Sequence, residues 1–111
     1  MAIKKMFAGR TAPGATNWQQ HTVPQGAFVD VDTSSAQFDP KSLPIYIISI
    51  GGDHNMFLTT GGCCIYDATY KGFRVYLKFT APPPQDSLVA ANLNSYNKWY
   101  VNWVGIEITA T

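Results

Sequence analysis

Strict alternation of apolar and polar positions marks the chain in several short stretches and predicts strands there. In residues 28–33 (FVDVDT), Val29 and Val31 fall on one face and Phe28, Asp30 and Asp32 on the other, as in a half-buried strand. The longest alternation is 73–79 (FRVYLKF), with Phe73, Val75, Leu77 and Phe79 facing a core and Arg74, Tyr76 and Lys78 facing out. Residues 45–50 (IYIISI) form a β-branched run too short for a helix, bounded by Pro44 and by Gly51 and Gly52, and predict a central strand. In the closing segment 98–111, Trp99, Val101 and Trp103 share one face and Tyr100, Asn102, Val104 and Ile106 the other; apolar groups on both faces also place it centrally.

Weaker signals fill the gaps. Residues 63–66 read as a short strand connected by 67–72 to the next, and 56–60 as a weak or irregular edge strand. The stretch Ala81–Asp86, with Pro82, Pro83 and Pro84, predicts a stiff polyproline-like connection, and Leu88–Leu93 has room for one helical turn. Residues 1–25 show no sustained period and predict an N-terminal arm, leaving 26–111 as the folded domain. Six short strands, with turn signals about every 8 to 12 residues and no helix of useful length, predict an all-β fold, a six-stranded antiparallel β-sandwich.

Composition adds a hint about assembly. Apolar residues make up 46% of the 111 and charged residues only 14%, which predicts a folded chain whose subunit surface is partly covered in an oligomer. The net charge of +1 comes from scattered basic residues, so no stripe suited to tracking phosphates is expected and nucleic acid is not the expected partner. The basic start is followed by no apolar run of signal-peptide length, and no segment approaches membrane-spanning length. The expectation is synthesis in the cytoplasm, without membrane insertion, with release or display by a non-classical route or as part of a phage particle. Cys63 and Cys64, adjacent and without other sulfur partners, are expected to be reduced and to enter a strand as small apolar residues.

Catalytic constellations are not expected. Of the two histidines, His21 lies in the lead-in, and His54 sits in a glycine-flanked loop with no nucleophile-elbow motif, as a solvated turn residue or a ligand contact. Asp30 and Asp32 share a strand face, where solvation or ion pairing, cation binding and acid–base chemistry are the alternatives, in falling order. No histidine spacing supports a metal site, and no cofactor is expected. Aromatic side chains are more informative, because sugars pack apolar C–H faces on rings. Tyr46, Tyr76 and Tyr100 are outward candidates for sugar or subunit contact, whereas Trp103 is expected in the core.

Four stretches resemble the H-type lectin domain of snail agglutinins and discoidins: 28–38 (FVDVDTSSAQF), 43–50 (LPIYIISI), 71–77 (KGFRVYL) and 101–107 (VNWVGIE). The resemblance spans about residues 26–108 and implies a sandwich that trimerises, with sugar sites at subunit boundaries and avidity from multivalency. Family members that bind N-acetylgalactosamine use an Arg in the fourth strand and a Trp-His pair after the fifth. Here those positions fall near Thr60 and near Thr80 and Ala81, so that specificity does not carry over. The leading expectation is a homotrimeric carbohydrate-binding module, not an enzyme, with Asp53, His54 and Asn55 as rim polar groups and Tyr76 or Trp99 as the aromatic platform. The alternative is a trimeric structural or protein-interaction module, such as a fibre tip or adhesion component, that has lost sugar binding.

Overall fold

The closing segment becomes the spine of one sheet. In a computed structural model that describes residues 2–21, 26–54, 56, 59–79, 93–94 and 97–109, strand β8 (Tyr100–Ile108) lies between β1 (Ile3–Arg10) and β4 (Ile45–Gly51), antiparallel to both. Alternation along β8 sends Val101, Trp103 and Glu107 inward, where they are buried, and leaves Tyr100, Asn102, Val104, Ile106 and Ile108 half-exposed on the outer face. The central placement expected for this segment holds.

A second antiparallel sheet has the order β2 (Gln19–His21), β3 (Gly26–Asp32), β7 (Gly72–Phe79), β5 (Thr59–Thr60), with β6 (Tyr66–Thr69) also paired to β7. Val29 and Val31 of β3 and Phe73, Val75, Leu77 and Phe79 of β7 all point into the core, as their alternation requires. The two sheets meet through these side chains and Tyr46, Ile48, Val101 and Trp103, with the Tyr46 and Phe73 rings 4.7 Å apart. The protein is therefore all-β, two antiparallel sheets enclosing one apolar core.

Several expectations are corrected. Eight strands, not six, are present among the described residues, because much of the lead-in is structured: β1 pairs along β8, β2 pairs with β3, and Trp18 is buried. The alternation of β1 is hidden by a bulge between Ile3 and Lys5 and by an edge position that leaves most of its side chains exposed. β4 is an edge strand rather than a central one, and alternation turns its odd-numbered isoleucines 45 and 47 to the exposed outer face of the sheet. Cys63 and Cys64 are free, exposed residues around a turn, because β6 begins only at Tyr66. The polyproline connection and most of the Leu88–Leu93 turn lie outside the described residues.

Two glycines make room for core rings. A Cβ on Gly9 would sit 2.5 Å from the Trp103 indole, and one on Gly105 would sit 2.6 Å from the Phe38 ring, so each strand passes directly beneath an aromatic side chain.

Candidate functional site

The outer face of the five-stranded sheet gathers aromatic rings from four strands. Phe28 and Tyr76 are direct cross-strand partners, Tyr66 stands opposite Arg74, and His21 stands opposite Gly26. Cross-strand partners have side chains close enough to touch, and the register therefore assembles the cluster. Tyr76 is its hub: its ring lies 5.8 Å from Phe28, 5.3 Å from His21 and 4.8 Å from Tyr66, the last at a near-perpendicular 88°. Perpendicular and tilted ring pairs are favourable because a positive ring edge meets a negative face.

Arg74 locks one side of this strip. Its Nε and Nη2 donate to the two carboxylate oxygens of Asp30 at 2.7 and 2.9 Å, and its Nη1 donates to the Tyr76 hydroxyl at 3.0 Å. The same guanidinium lies 4.6 Å from the Phe28 ring centre and 5.7 Å from that of Tyr76. One planar cation thus fixes both rings and uses both oxygens of the neighbouring carboxylate.

These hydrogen bonds hold the Asp30 carboxyl below its ordinary value and raise Arg74. A lowered carboxyl contributes stability that is present above the unfolded value, about 3.9, and is lost only as pH falls through the lower folded value. We expect an NMR titration of the Asp30 carboxyl carbon to show a midpoint below 3.8 in the native protein. Asp30→Asn should loosen Arg74 and disorder the Tyr76 ring at neutral pH. Asp32 is also held low, by hydrogen bonding from Ser34, whose backbone N–H donates to it at 2.8 Å. The solvated or ion-paired alternative thus describes the environment of both carboxylates. Among the described residues, no group of three or more His, Cys, Asp or Glu side chains is placed to hold a metal ion.

Beside Tyr76 the surface dips into an open cleft of about 360 Å³, lined among others by His21, Thr60, Tyr66, Tyr76 and Lys78. The cleft presents half-exposed rings as one wall and hydroxyl, imidazole and ammonium groups around them. This is the combination of a flat apolar platform with a few directional polar groups that a small ring-shaped polar ligand needs.

The residues singled out from the sequence are distributed differently from expectation. Tyr76 is at the centre of the strip. Trp99 is fully buried, so it offers no platform: its ring packs edge-on to Trp18 at 6.4 Å, and its Nε1 donates to the backbone oxygen of His54. Asp53 and His54 are exposed in the turn after β4, tied down by the Asp53 N–H to the Asn97 carbonyl at 2.9 Å, and neither lines the cleft beside Tyr76. Asn55 lies outside the described residues. Tyr46 is not an outward ring. It is buried, donates to the Thr69 carbonyl at 2.7 Å and bonds the Thr33 hydroxyl at 2.9 Å, and burial pushes its hydroxyl above the usual value. Tyr100 does face out, on the other sheet, with Arg10 stacked 4.8 Å from its ring centre.

The sequence reading missed His21, Phe28, Tyr66, Arg74 and Lys78 as site residues. Alternation already put Phe28, Arg74 and Lys78 on outward positions, but only the pairing of β2, β3, β6 and β7 brings them together. Comparison of the chain with protein-family models, characterised proteins and solved structures gives no match. The likeness to H-type lectins therefore rests on the four stretches quoted above. Among the described residues, no helix is long and apolar enough to cross a membrane.

Proposed function

We propose that this chain is a carbohydrate-binding, lectin-like module that holds a sugar ring on the aromatic strip centred on Tyr76, binding without transforming its ligand. The observation that carries this reading is the cluster of Tyr76, Tyr66, Phe28 and His21 on one outer sheet face, fixed by Arg74 and opening onto a cleft. Soluble domains seldom keep several rings together on a solvated face unless something docks there. The position at which the family resemblance expects a sugar-contacting arginine falls near Thr60, which lines the same cleft; that specificity does not carry over, and the missing arginine counts toward the structural alternative.

The module is proposed to act as a homotrimer built on the outer face of the three-stranded sheet. Ile3, Met6, Ile45 and Ile47 are each about half exposed there, beside Val104, Ile106 and Ile108 of β8. In register they form apolar rows, Met6–Ile106–Ile45 and Ala8–Val104–Ile47, with Arg10, Asn102 and Ser49 as a polar row at one end. Three copies turned with this face to a common axis would set the β1 side of one against the β4 side of the next, a heterologous contact that closes on itself. A net charge of only +1 puts little repulsion in its way. The same face also suits the alternative of a structural, fibre-associated trimer. Ile47→Lys should convert the oligomer to a folded monomer in light scattering; an unchanged mass would place assembly elsewhere.

The function itself is tested by a glycan-array screen with solution mass measured on the same sample. Selective glycan signals from a trimer are expected. A trimer silent across the array would favour the structural alternative.

A further inference from the structure

We infer that the sugar held beside Tyr76 carries an anionic substituent, a carboxylate or a sulfate, which sits between His21 and Lys78. This rests on the glycan reading above and narrows it to a ligand class.

The notch that would take the anion is written into the strand register. His21, Gly26, Lys78 and Thr60 occupy one row across β2, β3, β7 and β5. Gly26 has no side chain, and a Cβ there would lie 2.1 Å from the Leu77 carbonyl oxygen, so the row has an obligatory gap between the imidazole and the ammonium. Neighbouring strands are about 4.8 Å apart, which sets the His21 and Lys78 backbones about 10 Å from each other across that gap. A carboxylate or sulfate spans such a space with oxygens toward both sides. The Tyr76 ring, 5.3 Å from His21, would carry the attached sugar.

The balance of donors and acceptors points the same way. Neutral sugars present adjacent hydroxyls that must donate as well as accept, and a carboxylate is the strongest partner for those protons. Among the described residues, no Asp or Glu lines this cleft. The carboxylate nearest in register, Asp30, has both oxygens engaged by Arg74, and the Tyr76 hydroxyl accepts from Arg74 as well. Lys78 is exposed and, among the described residues, pairs with no carboxylate. Among the described residues the cleft offers an ammonium, an imidazole and hydroxyls but no carboxylate, so it suits a ligand that brings its own negative oxygens.

The test compares matched glycans on the intact oligomer: sialyllactose against lactose for the carboxylate, and 6-sulfated lactose against lactose for the sulfate. The native protein should bind one anionic probe at least tenfold tighter than lactose, and which one identifies the substituent. Lys78→Gln should remove most of that preference, lowering affinity for the anionic probe at least tenfold more than affinity for lactose, and Lys78→Arg should keep it. Lys78 is exposed, so neither substitution should alter the melting temperature. Lactose and both anionic probes bound equally, or a preference untouched by Lys78→Gln, would overturn the anionic assignment and leave the glycan reading standing. Binding to no glycan on a broad array would overturn both.

Discussion

Replacing Tyr76 with Ala should lower glycan affinity at least tenfold while leaving the fold and the oligomer intact. Tyr76 touches three other rings and receives a hydrogen bond from Arg74, so its removal takes away the middle of the proposed platform. An aromatic contact of this kind contributes roughly 0.5–1.5 kcal/mol beyond the area it buries, and with that area the loss reaches or exceeds the ~1.4 kcal/mol that corresponds to a factor of ten. The side chain lies on the outer face, and Arg74 keeps its two bonds to Asp30, so little stability should be lost. Tyr76→Phe preserves the ring and should retain most of the affinity. Titration calorimetry with the strongest array glycan would read both. Equal affinities for the native and Ala forms would remove Tyr76 from the site.

Trp99→Ala should act in the opposite way, as a severe loss of stability with no direct effect on a sugar. The indole is fully buried, packs edge-on against Trp18 and donates to the His54 carbonyl, while its backbone oxygen accepts the Trp18 indole N–H at 2.9 Å. Phe or Trp to Ala substitutions in cores cost about 3–5 kcal/mol, a large share of the ~5–15 kcal/mol that holds a domain of this size. At about 4–8 °C per kcal/mol for a small domain, the melting temperature should fall by roughly 12 °C or more. The turn that holds Asp53 and His54 should loosen as well, because Trp99 anchors it from beneath. Thermal unfolding followed by circular dichroism would show this. A shift of only a few degrees would mean that the two indoles contribute little to the core.

What could be read from the chain follows the strength of its alternation. β7 and β8 have long period-two patterns, and both their existence and their inward faces are as expected. β3 follows the same rule. β4 shows why a β-branched run is ambiguous: Ile45, Tyr46, Ile47 and Ile48 look like a strand buried on both sides, yet two of the isoleucines face outward on an edge. An exposed apolar patch has the same composition as a core. β1 was illegible because its bulge interrupts the period, and Trp18 was overlooked because a lone ring among Asn and Gln carries no periodic signal.

The site was legible only in part, for a related reason. Tyr76 stands out on a clean outward position, but His21, Phe28 and Tyr66 are 7 to 45 residues apart in the chain and meet only through cross-strand register. Trp99 looked like a platform because aromatic rings pack against sugars, whereas its place just before β8 puts it against Trp18 in the core. Sheet order, rather than residue type, decides which rings face solvent.

The most direct test of the account is to titrate the strongest array glycan into ¹⁵N-labelled protein and map the amides that shift. The account predicts shifts concentrated around His21, Phe28, Thr60, Tyr66, Tyr76 and Lys78. Shifts confined instead to the turn around Asp53 and His54, with the strip unmoved, would contradict it.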